Sequence, residues 1–239
     1  MTKLPLTQEN VQAIRAASPC HGMLHLALIA ALQPRRVLEI GSGFGRSTLF
    51  LALGLHGLGG RRVLDSVDID QRVARAALER FDTTPVEVNL YERRSDEFFA
   101  QCRETYNYIF VDGDHSYAGF KADFEAARQH LNERGIIVFD DALFHEVTNV
   151  LRDLALPCCI LDYETGLGLY TPTLELRNLY TAQLIATRGD MNPYVADEVT
   201  AFRCAYQCFR PLVPLIVFAR RTKRRIRKLA GFLAGRAHE

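Results

Sequence analysis

Apolar and polar positions follow a repeating pattern through the first 172 residues. Short continuous apolar runs that end in glycine or acidic residues indicate buried parallel strands. Longer stretches with apolar residues every three or four positions indicate helices between them. The predicted strands are Val37–Ile40, Val63–Asp68, Val86–Leu90, Tyr108–Val111 and Ile136–Phe139, and the predicted helices are 7–17, 22–32, 46–56, 71–81, 118–132 and 145–155, with one more starting at Ser95 or Asp96.

Two further strands are predicted near Cys159–Tyr163 and Gly168–Thr171, and the turn at 164–166 suits an antiparallel pair. Strands that alternate with helices and end in a hairpin predict an α/β fold. We expect a Rossmann-like, doubly wound, seven-stranded, mostly parallel sheet with an antiparallel terminal strand. Residues 1–173, including N-terminal helices over 7–32, would form this domain, and residues 174–239 would form a helical extension.

Charge is distributed unevenly along the chain. The formal total is +1, but residues 220–239 hold eight Lys/Arg and one acid, so the body of the chain is acidic. Residues 215–236 have the pattern of a basic amphipathic helix, which suits peripheral contact with an anionic membrane. A solvated tail, or one packed on an acidic partner, is the alternative. No nucleic-acid partner is expected, because no platform of aromatic and basic residues accompanies the acidic body.

The six cysteines have no zinc-site spacing, and buried free thiols in a reducing compartment are the expected state. The N-terminus lacks the apolar core of a signal peptide, and no apolar run is long enough to span a bilayer. We therefore expect a cytoplasmic protein, peripheral on the inner face of the membrane if the tail binds lipid. The sequence leaves open whether the chain forms a homo-oligomer.

The first predicted strand runs into a glycine-rich turn with the sequence EIGSGFGRS, starting at Glu39. Dinucleotide-binding turns need the spacing G-x-G-x-x-G/A, and here the third glycine comes one residue early. The spacing E-x-G-x-G-x-G resembles motif I of the class I S-adenosylmethionine-dependent methyltransferases. The alternative is an ordinary glycine turn. The resemblance implies that the cofactor S-adenosylmethionine binds at Glu39, Gly41, Gly43 and Gly45.

Other cofactor contacts are expected at the ends of the second and third strands. Asp68 ends the second strand, and the resemblance implies that its carboxylate accepts hydrogen bonds from the ribose hydroxyls; a solvated loop acid is the alternative. In the same family the loop after the third strand contacts adenine. Ser95 and Asp96 are the matching candidates here, although Ser95 equally suits a plain helix cap.

Acidic pairs follow the fourth and fifth strands, Asp112/Asp114 and Asp140/Asp141. Parallel strands end at one edge of the sheet, so these carboxylates would meet beside the glycine turn, where a hard cation such as Mg²⁺ would balance them. The runs FVDGDHSY and GIIVFDD resemble metal-dependent small-molecule and sugar O-methyltransferases. The resemblance implies metal ligands at Asp112, Asp140 and Asp141, with Asp112 also beside the cofactor. Helix capping by Asp141 and cofactor contact by Asp140 are the alternatives.

His115 lies three residues after Asp112, the offset at which the resembling enzymes hold a general base. A neutral imidazole can accept a hydroxyl proton near pH 7. The alternative role of His115 is to orient Asp112 or to cap the next helix. The combined prediction is a methyltransferase that, with Mg²⁺, O-methylates a small molecule or glycan. A metal-independent N- or O-methyltransferase, or a non-catalytic membrane-docked scaffold on the same fold, are the competing hypotheses.

Overall fold

A computed structural model describes residues 2–12, 19–142, 144–154, 158–162 and 166–172. The predicted extension 174–239 with its basic tail 215–236 lies outside these residues. So do residues 13–17 of the first predicted helix and two residues of the predicted turn, 164–165. In the part of the chain that the structure describes, no helix is long and apolar enough to cross a bilayer.

Nine strands occur in the described residues, and seven of them form the central sheet. The strands are β1 Leu4–Pro5, β2 Arg36–Ile40, β3 Arg62–Asp68, β4 Phe81–Asp82, β5 Val86–Glu92, β6 Tyr106–Val111, β7 Leu131–Phe139, β8 Cys158–Asp162 and β9 Leu167–Tyr170. The order in the central sheet is β5-β3-β2-β6-β7-β9-β8, and β1 pairs separately with β4. The first five strands in this order, from β5 to β7, are parallel to one another. Strand β9 is antiparallel to both of its neighbours, β7 and β8.

Seven helices connect or flank these strands in the described residues. They are α1 Gln8–Gln12, α2 Pro19–Leu32, α3 Arg46–Leu58, α4 Arg72–Leu78, α5 Ser95–Gln101, α6 Tyr117–Gln129 and α7 His145–Asp153. Helix α3 packs on α2 and α4, whereas α6 packs on α5 and α7. The chain runs outward from β2 in both directions, and right-handed crossovers then put the two helix groups on opposite faces of the sheet. The doubly wound, mostly parallel fold predicted from the sequence is confirmed.

The centre of the sheet is mostly apolar because helices cover both of its faces, although Glu39 in β2 and Asp65 and Ser66 in β3 are also buried there. In β6 the residues from Tyr108 to Val111 are at most 1% exposed, and in β2 Val37 and Leu38 are completely buried. Strand β2 lies between β3 and β6, so its C-terminal end at Ile40 opens into the middle of the sheet edge. That position is where ligands of open α/β sheets bind, because the strand order reverses there.

The observed elements differ from the predicted ones mainly where polar residues extend a strand. Strand β7 begins at Leu131, five residues before the predicted start, because Leu131 pairs with Tyr106 ahead of a bulge. The intervening residues include exposed Glu133 and Arg134, so they carry no apolar signal. In the C-terminal hairpin, β9 inserts between β7 and β8, which places β8 at the edge of the sheet.

Candidate active site

The glycine turn follows β2 and passes close to the end of β6. Gly41 has φ 88°, and a Cβ atom added there would overlap the Asp112 carbonyl group. Gly45 has φ 75°, and an added Cβ would lie 2.7 Å from the Ala74 Cα atom. Both positions therefore need glycine for its backbone angle and for the close approach of a neighbouring chain segment. The result is a turn with bare backbone that leads directly into α3.

Asp68, at the end of β3, holds this turn in place. Its Oδ2 atom accepts hydrogen bonds from the backbone N–H groups of Ser42 (2.8 Å) and Gly43 (2.9 Å). Its Oδ1 atom accepts one from the backbone N–H of Asp70 at 3.0 Å. A carboxylate offers about four acceptor positions, so three backbone donors already use most of them. Asp68 thus orders the turn, and the ribose contact expected from the sequence stays a prediction.

Ser42 and Gln71 add a second, buried link between the turn and β3. The Ser42 hydroxyl donates to Gln71 Oε1 at 3.1 Å, and Gln71 Nε2 donates to the Ser66 carbonyl at 3.1 Å. Gln71 is completely buried and Ser42 is 4% exposed. Buried polar groups that satisfy each other in this way fix a single conformation.

Glu39 lies behind the glycine turn, inside the core. Its side chain is completely buried, and its Oε2 atom accepts hydrogen bonds from the hydroxyls of Thr48 and Ser66, each at 2.6 Å. Burial raises the pKa of Glu39 to about 7, although the hydroxyls of Ser47, Ser66 and Thr48 oppose that shift. Glu39 therefore ties β2 to α3 and β3 beneath the turn. In this structure it is not exposed to a ligand, unlike the expected cofactor contact.

A cavity of about 250 Å³ opens beside the turn. It lies between the N-terminal part of α2, the turn with the start of α3, and the ends of β6 and β7. Its lining residues are His21, Gly22, His25, Ser42, Gly43, Phe44, Arg46, Ser47, Phe50, Asp112 and Asp140. Another cavity of the same volume is lined by Lys3, Arg75, Glu79 and their neighbours near α4 and β5, and contains none of the predicted site residues.

His115 is placed between two of the carboxylates that the sequence predicted at this edge. Its Nδ1 atom lies 2.8 Å from Asp141 Oδ2, and its Nε2 atom lies 3.2 Å from Asp112 Oδ1. The Nε2 contact is an ion pair without hydrogen-bond alignment. These two carboxylates raise the pKa of His115 to about 10, and the same imidazolium lowers the pKa of Asp141. His115 is therefore a cation at neutral pH in this arrangement, not the neutral base expected from the sequence.

The predicted metal ligands are not gathered around one point. Asp112 and Asp140 both line the cavity, and Asp140 Oδ1 is buried with no hydrogen-bond partner among the described residues. Burial, more than the neighbouring carboxylates, raises the pKa of both groups. Asp141 instead has φ 54° and pairs with His115. Among the residues described, no three His, Cys, Asp or Glu side chains are grouped to hold a metal ion.

The two residues expected near adenine have different surroundings. Ser95 is the first residue of α5, and its hydroxyl donates to Asp123 Oδ1 at 2.5 Å. Asp96 is exposed and accepts a hydrogen bond from Arg94 Nε at 3.0 Å. Arg94 occupies the N-cap position of α5, so Ser95 is not the helix cap that formed its alternative role. Asp123 is 7% exposed, and its partnership with Ser95 was not anticipated.

Three residues of the cavity were missed by the sequence reasoning as functional groups: His21, Ser42 and Arg46. Arg46 follows the third glycine, where dinucleotide-binding turns have a glycine or alanine, and that departure was the signal available for it. His21 stacks on His25, with ring centroids 5.1 Å apart. His21 lies on an N-terminal helix outside any recognisable sequence motif, so no signal marked it as a site residue. Ser42 lies between two of the motif glycines, and a polar residue inside such a turn was the signal available for it.

Comparison with known proteins places this site in a family. The sequence profile of the family described as methyltransferase domain matches residues 38–142, which include the glycine turn, Asp68, Asp112 and Asp140. Over this segment the chain is similar to methyltransferases. The matched segment contains β3, β5, β6, β7 and most of β2, whereas α2, which also lines the cavity, precedes it. The family resemblance inferred from the sequence is confirmed at this level.

Individual relatives of the methyltransferase domain are distant. A protein of Mycobacterium sp. (strain JLS) that is named as an O-methyltransferase is 31% identical over 103 residues, which cover 41% of this chain and 46% of that protein. This chain therefore matches about half the length of such relatives.

Two solved structures have the fold of this domain. The O-methyltransferase from Bacillus cereus in complex with SAH is 21% identical, with a TM-score of 0.51, and the likeness covers 69% of this chain and 86% of that one. The O-methyltransferase TomG from Streptomyces achromogenes, in complex with SAM and involved in tomaymycin synthesis, is 18% identical, with a TM-score of 0.52 and coverage of 71% and 91%. At these identities the likeness establishes the fold.

Proposed function

We propose that this protein is an S-adenosylmethionine-dependent methyltransferase that methylates a hydroxyl group of a small molecule or glycan. The family match over residues 38–142 supports methyl transfer, and the named O-methyltransferases among its relatives support oxygen as the acceptor atom. Similar folds that bind SAM or its product SAH, S-adenosylhomocysteine, support the cofactor. S-adenosylmethionine supplies an electrophilic methyl group on a sulfonium, and the protein supplies the position of the acceptor.

One observation carries this proposal: the glycine turn, fixed by Asp68, borders a cavity that contains Asp112 and Asp140. The nucleoside would lie toward β3 and β5, where Asp68 and the start of α5 are found. The amino-acid end would lie in the cavity on the side of β6. We propose one direct ribose contact from Asp68 alongside its role in ordering the turn. The Ser42 hydroxyl, which lies 3.3 Å from Asp68 Oδ2, would then donate only to Gln71 and leave that acceptor position to the ribose.

Glu39 would act through the turn and not on the ligand. Its carboxylate binds Thr48 at the start of α3 and Ser66 in β3, so it fixes the two elements that flank the turn. Gly41, Gly43 and Gly45 would supply the bare backbone along which the cofactor lies. Ser95 and Asp96 would lie near the adenine, with Asp123 orienting the Ser95 hydroxyl.

The chain's own acid–base groups would handle the acceptor proton. His115 holds a proton between Asp112 and Asp141 in the ligand-free arrangement. A cationic ligand next to Asp112 would weaken the field that keeps His115 protonated, and its pKa would fall toward the ordinary value. His115 could then accept a hydroxyl proton, which is the role expected from the sequence. In-line approach of the acceptor to the methyl group would supply most of the acceleration.

We propose in addition that a bound Mg²⁺ assists the methyl transfer. Asp112 and Asp140 fit such an ion, since their hard oxygen atoms line one cavity and Asp140 Oδ1 is buried without a partner. Asp141 would join them only after releasing His115. A bound Mg²⁺ would lower the pKa of an acceptor hydroxyl. The His115 bridge, which balances the carboxylates without a metal, favours metal-independent methyl transfer as the second candidate.

Partners beyond the cofactor are proposed from sequence alone. The basic segment 215–236 would bind anionic membrane surface, with the protein on the cytoplasmic face. Co-sedimentation with anionic liposomes, compared between the full chain and residues 1–218, tests this. Equal pelleting of the two proteins would remove the membrane proposal.

Calorimetric titration with SAH, followed by transfer of a radiolabelled methyl group to a panel of hydroxyl acceptors, tests the enzymatic proposal. We expect one SAH per chain and label incorporation into at least one acceptor class. Binding of SAH without any transfer would favour the scaffold hypothesis. Absence of SAH binding would reject the proposed function.

A further inference from the structure

Arg46 is a charged group of the cavity for which the proposed chemistry has no use. It is the first residue of α3 and follows Gly45 directly. Its side chain is partly buried and lines the cavity with Ser42, Phe44 and Asp112. Two of its nitrogen atoms, Nε and Nη1, are buried and have no hydrogen-bond partner among the described residues. No described carboxylate forms an ion pair with it, although Asp112 is near enough to attract it.

A buried guanidinium group without hydrogen-bond partners destabilises the fold unless a ligand supplies the missing acceptors. Burial lowers the pKa of the Arg46 guanidinium, which means that the charged form is incompletely solvated. Nε and one Nη of a guanidinium form a planar pair of donors that matches the two oxygens of a carboxylate. The N-terminus of the 13-residue helix α3 adds a favourable field for an anion at the same place.

The other charged groups of the cavity limit what the ligand can be. Asp112 and Asp140 carry carboxylates, so a purely anionic ligand would be repelled from most of the cavity. A ligand with a cation and a carboxylate on adjacent atoms would satisfy both Arg46 and Asp112. The amino-acid end of S-adenosylmethionine has this character, and Asp68 lies on the opposite side of the turn, where the ribose belongs.

We propose that Arg46 binds the α-carboxylate of the cofactor and so determines specificity for an intact amino-acid end. This inference rests on the proposed function, because it assumes that the cofactor occupies the cavity. A carboxylate of the acceptor substrate is the other source of the same chemistry. The two are separated by using cofactor analogues in the absence of any acceptor.

Calorimetric titration of SAH and of decarboxylated SAH, which lacks only the α-carboxylate, tests the proposal. The unmodified protein should bind SAH about 10- to 100-fold more tightly than the decarboxylated analogue, the range of a hydrogen-bonded charge pair. Arg46→Gln should lose about this factor toward SAH and bind the two ligands with nearly equal affinity. Arg46→Lys keeps the charge without the planar donors and should recover part of the discrimination.

Arg61→Gln is the matched control, because Arg61 is an exposed arginine that pairs with Glu87 at the opposite end of β3. It should bind both ligands as the unmodified protein does. If Arg46→Gln still prefers SAH by the full factor, Arg46 does not bind the carboxylate and the inference is overturned, while SAH binding itself still supports the proposed function. If Arg46→Gln does not fold, equal affinity of the unmodified protein for the two ligands would overturn it. Failure of the unmodified protein to bind SAH would reject both.

Discussion

The Nδ1 atom of His115 lies 2.8 Å from the Oδ2 atom of Asp141 and forms an ion pair with it. On its other side the ring faces Asp112, so one imidazolium balances two acids at the edge of the sheet. Carboxylates that converge in a partly buried site need a cation. In this arrangement the cation is a side chain of the protein itself.

The first prediction concerns the protonation of His115. Without added metal or cofactor, its pKa should be about 10, because Asp112 and Asp141 favour the charged ring. A raised folded-state pKa stabilises the fold below the unfolded value of about 6.5, and this contribution is lost as pH rises through the folded value. Histidine-selective NMR titration measures it directly. Asp141→Asn should lower the pKa toward 6.5; a ring that titrates near 6.5 in the unmodified protein would refute the bridge.

A second prediction concerns the buried pair His25 and Tyr108. His25 Nδ1 lies 2.5 Å from the Tyr108 hydroxyl oxygen, and both side chains are completely buried. Burial, aided by nearby His21, lowers the pKa of His25 to about 3. The unfolded chain therefore binds this proton first as pH falls below about 6.5, and the folded state loses stability over that range. The loss at pH 5 should be about 2 kcal/mol.

Urea unfolding at pH 7.5 and pH 5 measures this loss. The control is His25→Gln, in which the difference between the two pH values should shrink by about 2 kcal/mol because the titrating ring is absent. Other groups contribute equally to both proteins, so they cancel in the comparison. The same pH dependence in both proteins would show that His25 takes up its proton without unfolding.

The third prediction concerns Asp68. Asp68→Ala removes the acceptor for three backbone N–H groups, two of them in the glycine turn. We expect a decrease of about 1–3 kcal/mol in the free energy of unfolding. SAH affinity should fall about 10- to 100-fold, because the turn and the ribose contact are lost together. Thermal unfolding and calorimetry measure the two effects.

Asp70→Ala is the matched control for Asp68→Ala. Asp70 is two residues away; it makes a surface ion pair with Arg72 and accepts a hydrogen bond from the Arg72 backbone N–H at the start of α4. Surface ion pairs contribute little to stability and a helix cap contributes modestly, so this variant should lose less stability than Asp68→Ala and should retain SAH affinity. Equal losses in the two variants would mean that the Asp68 contacts with the turn are not what orders it.

The fourth prediction tests Mg²⁺ assistance through the metal itself. Titration of Mn²⁺, a spectroscopic substitute for Mg²⁺, into the SAH complex should reveal one site per chain. Asp140→Asn should weaken it at least about 10-fold, because a carboxylate ligand becomes neutral. Glu87→Gln, which changes an acid far from the cavity, should leave the affinity unchanged. Absence of Mn²⁺ binding to the complex would leave metal-independent transfer as the mechanism.

Much of the fold could be predicted because the central strands are mostly apolar, with few polar residues inside them. The predicted second strand, Val63–Asp68, ends where β3 ends, since Val67 is its last apolar residue before the acidic turn at Asp68 and Asp70. The early start of β7 could not be predicted, because exposed Glu133 and Arg134 lie within that strand. A run of apolar residues indicates a buried strand, so the exposed part of a strand cannot be recognised from such a run.

The site was predictable in position and less so in the contacts of its side chains. Asp112 and Asp140 lie at the same edge, as expected, because parallel strands bring their C-terminal ends together. The burial of Glu39 and the bridge from His115 to Asp141 depend on side-chain directions and on partners distant in sequence. No spacing rule encodes those contacts, so the charge of His115 became apparent only from the structure.

A crystal structure of the protein soaked with SAH tests the central claim most directly. The account predicts that the nucleoside lies against Gly41–Gly45, with a ribose hydroxyl within hydrogen-bond distance of Asp68 and the amino-acid end in the cavity beside Asp112. Density for SAH elsewhere on the domain, with this cavity empty and the Asp68 carboxylate turned away, would contradict it.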